Sequence, residues 1–404
     1  MAAADELQLL PTTIEKDYAL GWFLFGIARH PELRRWIFKG GTCLKKCYFD
    51  TYRFSEDLDF TLPEDAPYER GAIEAALGSL AAWVLDATGI QVPEGGITVE
   101  ERANKRGEVT FEARVSFRGP VAHEGSAPRV KFDLTRFELV ASETPQRAVF
   151  HGYSDAPEPS PSVRSYSLEE LLAEKVRALV ERSGRARDVY DVVSLRRSTA
   201  VAVDVAKARD LTIRKFAYKE LATPTAEAVL AAIDWAVVAG DWEHSLHHQL
   251  PVLPPVEEFQ AALGEALAWL LAPERVAPPL PAIPAGAGES VVPAVAFGRQ
   301  ALGLGRRAGL AAGAAPAGVY GSIMDRVRYA ARNRLLARIT YDGVPRLVEP
   351  YSLRMPSTGN LLLYVYEVQR GFGAGGGIKA FKVAELGGAE VTSQPFQPRR
   401  AIEL

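Results

Sequence analysis

The alternation of apolar and polar positions divides this chain into segments with different periods. Helical spacing recurs in five stretches, at residues 5–35, 68–88, 167–179, 226–238 and 256–271. A period of two marks strands between residues 97 and 140, and a second β pattern follows a basic helix at 324–336. Some predicted strands are grouped together along the chain and others lie between helices, so we predict an α+β protein.

A glycine corner and an acidic strand stand out near the N-terminus. The apolar run Trp36–Phe38 predicts a short strand that ends at Gly40 and Gly41, with a helix from Thr42 onward. Glycines let backbone N–H groups approach a phosphate closely, because no Cβ intervenes. Alternation then places Asp57 and Asp59 on one face of the following strand, where a cation would relieve their repulsion. This order is typical of metal-dependent nucleotidyl transfer.

A third carboxylate is expected on a neighbouring strand. In the stretch 129–135, the apolar side chains Val130, Phe132 and Leu134 face one way and Asp133 faces the other. Two-metal transfer uses acidic groups to hold cations roughly 3.5–4 Å apart. We therefore predict Asp57, Asp59 and Asp133 as metal ligands, with a solvent-facing strand end as the alternative for Asp133.

A well-marked helix begins after Ser167. Ser167 and Glu170 have the spacing of a capping box, and leucines and alanines surround Lys175 on the helix surface. A charge beside an apolar face is costly unless a partner meets it, and a triphosphate is such a partner. The alternative is that the stem of Lys175 packs while its amine reaches outward to solvent.

Three motifs in order resemble a known family. They are Gly40-Gly41-Thr42-x-x-x-Lys46, Arg53-x-Ser55-x-Asp57-x-Asp59-Phe60, and Leu172-x-Glu174-Lys175 followed by Arg187-Asp188-x-Tyr190-Asp191. The chain is similar in these motifs to the AbiEii/AbiGii-type nucleotidyltransferase toxins of the DNA-polymerase-β-like superfamily. The resemblance implies a nucleotidyltransferase core with a mixed sheet and helices, followed by a helical half that completes the active site.

The resemblance also implies roles for individual residues. Lys175 and Asp188 would belong to the active site, with Asp191 as a second choice for the aspartate. Gly40, Gly41, Thr42, Lys46, Ser55 and Lys175 would bind the nucleotide. Lys46 could equally be a solvated helix lysine, and Ser55 would hydrogen-bond a carboxylate or the nucleotide.

The C-terminal part resembles a second family. Residues 321–404 look like a WYL-type domain, a small all-β Sm/SH3-like barrel, although Leu361-Leu362-Leu363 replaces the tripeptide that names that family. Arg346, Lys379 and Arg399 would either gather as a site for nucleic acid or an effector, or remain scattered surface charge. We therefore predict a catalytic core at 1–160, a helical domain at 161–272, a Pro/Ala/Gly-rich linker at 273–320 with a short helix near 300–310, and the barrel at 321–404.

Charge and composition limit the partners and the compartment. Residues 1–272 carry a net charge of −10 and residues 321–404 a net charge of +5, so the catalytic part lacks the basic field of a non-specific duplex binder. Cys43 and Cys47 are the two cysteines, which fits helix-packing thiols in a reducing cytoplasm. No membrane segment is expected. His244, His247 and His248 are interpreted as a surface cluster at a helix end rather than a metal site.

Three functions remain open from the sequence. The first is transfer of an NMP from an NTP to the 3′ end of tRNA, with two Mg²⁺ ions. The protein would then be the toxin of a type IV toxin–antitoxin or abortive-infection phage-defence system, and a winged-helix protein would be its antitoxin. The second is transfer to a protein or small-molecule hydroxyl, which the acidic catalytic part keeps open. The third is a nucleotide-sensing regulatory protein whose basic C-terminal part binds nucleic acid or an effector.

Overall fold

The computed structural model describes residues 9–49, 53–103, 107–121, 127–198, 201–275, 279–284, 286, 288–292, 322–357, 359–371 and 373–404. Its helices are α1 (Pro11–Arg29), α2 (Gly40–Cys43, continued by a wider turn at Leu44–Tyr48), α3 (Arg70–Thr88), α4 (Leu168–Glu181), α5 (Ala186–Arg197), α6 (Val205–Tyr218), α7 (Ala226–Ala231), α8 (Trp235–Leu246), α9 (Val256–Leu271) and α10 (Ile323–Arg332).

The strands, numbered in chain order, are β1 (Ile37–Lys39), β2 (Asp57–Thr61), β3 (Ile97–Ala103), β4 (Val109–Ser116), β5 (Arg129–Thr135), β6 (Gln146–Ala148), β7 (Ser162–Arg164), β8 (Ser290–Val291), β9 (Leu335–Tyr341), β10 (Val344–Met355), β11 (Leu362–Arg370), β12 (Gly373–Ala374), β13 (Ile378–Lys382) and β14 (Leu386–Pro395). The predicted α+β class is confirmed.

The chain divides into two compact units. The first contains Met1–Arg177, Val205–Pro224 and His248–Pro251, and the second contains Ala178–Asp204, Thr225–His247 and Val252–Leu404. These units group the residues differently from the four predicted segments, because the helical stretch 161–272 is shared between them.

The first unit is built on a five-stranded mixed sheet. Its strand order is β1-β2-β5-β4-β3, in which β2 and β5 run parallel and the other neighbours run antiparallel. One face carries the core, where the rings of Phe38, Phe60 and Phe132 pack together and Phe23 of α1 meets Phe132 edge-on. The opposite face carries the polar positions of the same strands, so alternation decides which side holds the chemistry.

The second unit combines helices with a larger sheet. Tyr190 of α5 stacks on Phe259 of α9 with ring centroids 5.0 Å apart. The sheet runs β12-β11-β10-β9-β14, with β13 also on β11 and β8 also on β10. A turn at Asp342 and Gly343 joins β9 to β10, and both residues have positive φ, which suits a tight hairpin. Closure of this sheet into a barrel stays a prediction.

Some predicted elements have different bounds. The helix expected at 226–238 is two helices, because Asp234 caps a new helix by accepting hydrogen bonds from Ala236 and Val237. The basic helix ends at Arg332 and a strand begins at Leu335. Ser290–Val291, in the predicted linker, pairs with β10, while the short helix near 300–310 lies outside the described residues.

Two further expectations concern cysteines and membranes. Cys43 and Cys47 are free and buried in the helix that follows the glycine corner, which confirms the interpretation as packing thiols. Within the described ranges, no helix has both the length and the apolar character needed to cross a bilayer.

Candidate active site

The polar face of the first sheet brings together the three predicted carboxylates. Asp59 of β2 and Asp133 of β5 are register partners on adjacent parallel strands, and Asp57 lies two residues before Asp59 on the same face. All three side chains are partly exposed. Asp133 therefore lies in one row across the sheet with Asp57 and Asp59, and its role as a metal ligand stays a prediction.

The pKa of Asp59 is shifted upward in this row. Burial, and then the neighbouring carboxylates of Asp133 and Asp57, raise its pKa to about 6, while Lys39 and Lys175 act in the opposite direction. Lys39 is its register partner on β1. An acidic group under this repulsion is stabilised in its ionised form by any added cation.

The glycine corner lies directly against these groups. Gly40 has φ +81°, and a Cβ at that position would overlap the carboxylate of Asp59. A Cβ on Gly41 would lie 2.7 Å from Arg53 Nη2 and 3.1 Å from Ser55 Oγ. Only glycines allow this approach, so the corner, the acidic strand and Ser55 form one compact site.

Lys175 reaches the same site from α4. It is half-buried, and its charge acts on Asp59. The adjacent Glu174 belongs to a buried ionic cluster in which Lys215 Nζ is 2.8 Å from carboxylate oxygens of both Glu170 and Glu174. Burial opposes ionisation of Glu174, but Lys215, Arg177 and Lys39 outweigh it and hold its pKa well below the usual range. This cluster fixes the helix from which Lys175 extends.

Helix α4 begins as predicted, with a different partner for its acidic residue. Ser167 Oγ accepts a hydrogen bond from the backbone N–H of Glu170. The carboxylate of Glu170 accepts from the backbone N–H groups of Ala141 and Ser142, so it anchors a distant loop instead of closing a capping box.

Two predicted nucleotide-binding residues have structural partners. Lys46 is buried, and its Nζ donates to Asp17 Oδ2 at 2.7 Å and to the Asp17 carbonyl at 3.0 Å. Thr42 is also buried, and its hydroxyl donates to the backbone carbonyl of Asp57. Lys46 therefore does not extend toward the glycine corner, and Thr42 ties that corner to the acidic strand.

Asp188 is in the second unit, in the first turn of α5. It is buried, and Arg182 Nη1 lies 3.7 Å from its Oδ2. Asp191, the second choice, is buried on the same helix. The assignment of Asp188 to the active site stays a prediction.

Several residues next to the carboxylates had no assigned role in the sequence analysis. Lys131 Nζ lies 2.9 Å from Asp133 Oδ2 and 3.5 Å from Glu112 Oε2, because the three residues share one face of neighbouring strands. The polar alternation of 129–135 contains Lys131, so this neighbour could have been found. Its ammonium supplies the positive charge nearest to Asp133.

A distant segment supports the acidic motif. The buried Arg53 donates to Gln249 Oε1 at 2.7 Å. His248 Nε2 lies 3.0 Å from Glu56 Oε1, and this hydrogen bond, with Lys16, lowers the pKa of Glu56 to about 2. His248 thus has a partner in the acidic motif, whereas His244 and His247 are exposed. Nothing local in the sequence signals this pairing across almost 200 residues.

The donor chemistry of the site suits a hard divalent cation. Carboxylate oxygens are the ligands that Mg²⁺ prefers, and the raised pKa of Asp59 records the crowding of negative charge that such an ion would relieve. Within the described part of the chain, no three His, Cys, Asp or Glu side chains already surround a common point. Asp133 is held by Lys131, so its carboxylate would exchange that partner for the ion.

The three basic residues suggested for the C-terminal part differ in burial and in charge partner. Arg346 is buried and pairs with Glu367, and Arg399 Nε lies 3.2 Å from Glu349 Oε1. Lys379 is exposed on β13. Two of the three charges are thus neutralised by carboxylates of the same sheet.

The chain is similar to known nucleotidyltransferase toxins. The model of the family described as nucleotidyl transferase AbiEii toxin of type IV toxin–antitoxin systems matches residues 22–265. Matching solved structures include MenT4, a nucleotidyltransferase toxin from Mycobacterium tuberculosis H37Rv. It has 21% sequence identity over 67% of this chain and 88% of that chain, with a TM-score of 0.46. No curated protein sequence matches the chain.

Proposed function

Because the chain belongs to the AbiEii family of nucleotidyltransferase toxins of type IV toxin–antitoxin systems, we propose that it moves an NMP from an NTP to the 3′-terminal hydroxyl of tRNA. In this proposal Asp57, Asp59 and Asp133 hold two Mg²⁺ ions. The observation that carries it is the register pairing of Asp59 with Asp133 directly beneath the Gly40 corner.

The chain's own residues would mainly position the reactants. The backbone of Gly40 and Gly41 would hold the triphosphate, with Ser55 beside it, and the ammonium of Lys175 would balance charge that develops on the leaving pyrophosphate. When bound, the metal ions would neutralise phosphate oxygens and favour loss of the proton of the acceptor hydroxyl. Asp133 would lie nearest that hydroxyl.

The test is a transfer assay with purified full-length protein. Each radiolabelled NTP is incubated with Mg²⁺ and total tRNA, and the same reactions are run with Asp57→Asn. The proposal expects labelled tRNA with wild type and a decrease of at least about 100-fold with the variant, as for loss of one transition-state contact. The exposed Asp86 on α3 provides the control Asp86→Asn, which should label as wild type does.

The acceptor is tested separately from the chemistry. Parallel reactions replace tRNA with total protein or with small hydroxyl compounds, because the acidic first 272 residues favour an acceptor that needs only local contacts. Label on protein or small molecules, absent with Asp57→Asn, would retain the enzyme and replace the tRNA acceptor. Equal labelling by wild type and Asp57→Asn in every reaction would contradict nucleotidyl transfer at this site.

The remaining parts of the proposal concern context. We propose that a winged-helix antitoxin restrains the enzyme, that its release gives growth arrest in phage defence, and that residues 321–404 form a WYL-like barrel fused to the toxin. Co-expression of the neighbouring gene should then restore growth of cells that express the wild-type chain. Cells that express Asp57→Asn should grow without it.

A further inference from the structure

The second unit contains a cavity of about 430 Å³ with an unusual balance of charge. It is formed by the end of α5, α9, the end of α10 and the C-terminal residues. Its lining includes five arginines and one carboxylate: Arg196, Arg197, Arg332, Arg334, Arg400 and Glu265. The volume lies within the range of roughly 300–1,000 Å³ that small-molecule sites occupy.

Arg197 is a buried cation without a hydrogen-bond partner among the described residues. Its Nε, Nη1 and Nη2 atoms are buried, and none of them has a hydrogen-bond partner among the described residues. The guanidinium lies 5.0 Å from the ring centroid of Phe259, which packs against it but accepts no conventional hydrogen bond. A buried guanidinium in this condition costs free energy, so its place beside a cavity calls for an anionic partner.

The carboxylates described near this cavity are fewer than its arginines. Glu265 is shared, with Arg196 Nη2 3.3 Å and Arg334 Nη2 3.9 Å from its two oxygens. Burial, and then the charge of Arg334, lower the pKa of Arg197 to about 9, while Glu258 and Glu265 act in the opposite direction. Arg197 is still protonated at neutral pH, and the two acids leave the arginines in the majority.

We propose that this cavity binds a small phosphate-bearing molecule, with Arg197 as the buried anchor for its phosphoryl oxygens. The planar guanidinium fits phosphate by two parallel hydrogen bonds, and several arginines around one cavity suit a group with two or more negative charges. Apolar lining residues such as Val193, Ala262 and Leu280 leave room for an organic substituent. The site lies entirely within the second unit and is independent of the proposed transfer reaction.

The probe for this site is pyrophosphate, titrated calorimetrically into the full-length protein in EDTA. Chelation removes divalent ions and thereby suppresses phosphate binding at the carboxylates. We expect saturable binding by wild type and a loss of roughly 10- to 100-fold in affinity for Arg197→Met, the range for a hydrogen bond to a charged group. Arg197→Lys, which keeps the charge and loses the paired donors, should lie between the two.

Two controls separate this site from the rest of the protein. Arg338→Met removes an exposed arginine that pairs with Glu390 at 3.0 Å and should bind as wild type. Asp57→Asn should also bind as wild type. Absence of binding by wild type, equal binding by Arg197→Met, or loss of binding by Asp57→Asn would each overturn the proposal, and none of these outcomes bears on whether tRNA is labelled.

Thermal unfolding distinguishes a ligand anchor from a structural arginine. Without phosphate, Arg197→Met should unfold at the same temperature as wild type or higher, because it removes an unpaired buried charge. Pyrophosphate should raise the Tm of wild type and leave that of Arg197→Met unchanged. A lower Tm of the unliganded variant would mean that Arg197 holds the fold together, and would overturn the proposal.

Discussion

Asp59 and Asp133 occupy opposite positions on two parallel neighbouring strands, and Asp59 also lies against the backbone of Gly40. This relationship joins the acidic strand, the third carboxylate and the glycine corner in one place. Because the apolar sides of the same strands are fixed by the core rings of Phe60 and Phe132, the acidic groups cannot turn away without inverting both strands.

The first prediction concerns the charge of Asp59. Asp59→Asn should abolish transfer while raising the stability of the metal-free protein at pH 7, because it removes a carboxylate whose pKa burial and its neighbours raise to about 6. The rise of the Asp59 pKa from 3.8 to about 6 corresponds to a destabilisation of at most about 3 kcal/mol. The measurement is urea unfolding in EDTA, and then in Mg²⁺, of wild type and variant.

Wild type should gain stability from Mg²⁺, and Asp59→Asn should gain much less. Asp86→Asn, at an exposed position, should leave both results as in wild type. A variant that is less stable than wild type in EDTA would show that Asp59 is not under electrostatic repulsion.

The second prediction compares a glycine packed against the acidic site with a glycine that has open space around it. Gly40→Ala should lower transfer by at least about 100-fold and destabilise the protein by roughly 1–3 kcal/mol, because its φ is +81° and its new Cβ would displace Asp59. Gly78→Ala, within α3 and with open space around it, should instead stabilise the protein by about 0.5–1 kcal/mol. Transfer rates and urea unfolding of both variants provide the comparison, and equal behaviour of the two would contradict it.

The sequence was sufficient where a local period decides the direction of a side chain. A strand has a period of two and its apolar residues must face the core, so the sequence predicts Asp57 and Asp59 on the polar side of one strand and Asp133 on the polar side of another. The order of the two strands in the sheet was not predictable in this way, because it depends on which segments pair.

Residues whose partners are distant in sequence could not be assigned. The helical pattern does not distinguish Lys46, which pairs with Asp17 on α1, from Lys175, whose charge acts on Asp59. Likewise, His248 and Gln249 are distant from Glu56 and Arg53 in the sequence and contact them only in the folded chain. A lysine beside apolar residues indicates that its amine needs a charge partner. Which residue or ligand supplies that partner depends on the tertiary structure.

The third prediction concerns the ionic cluster behind Lys175. Lys215→Met should destabilise the protein by about 3–5 kcal/mol, because it leaves the buried carboxylates of Glu170 and Glu174 without their shared ammonium. Lys207→Met, which removes a surface pair with Glu143 at 3.5 Å, should change stability by no more than about 1 kcal/mol. Urea unfolding measures both, and a small effect of Lys215→Met would mean that the cluster is solvated.

The fourth prediction is a dependence of stability on pH. Burial, and then Lys46, lower the pKa of His151 to about 3 from an ordinary 6.5, while Asp17 acts in the opposite direction. Between these values the unfolded chain binds a proton that the folded chain does not, so His151 contributes a loss of stability as the pH falls from 6.5 toward 3. His151→Phe should remove this contribution.

The measurement is the free energy of unfolding at pH 7 and pH 4.5. The decrease between the two should be smaller in His151→Phe than in wild type by roughly 1–3 kcal/mol. The exposed His244 serves as the control, since His244→Phe should keep the wild-type decrease. The same decrease in all three proteins would show that His151 titrates normally in the folded state.

The fifth prediction separates the two lysines that the sequence could not distinguish. Lys46→Met leaves the buried Asp17 without its ammonium and should cost about 3–5 kcal/mol of stability, while the folded protein keeps its KM for the NTP. Lys175→Met should keep most of its stability and lose at least about 100-fold in kcat/KM, because the charge it places near Asp59 would act on the triphosphate. Rates measured well below the unfolding transition, together with urea titrations, test both variants. A changed KM for Lys46→Met with unchanged stability would show that Lys46 binds the nucleotide. A lysine that only forms a buried ion pair would affect stability, and could not change substrate binding alone.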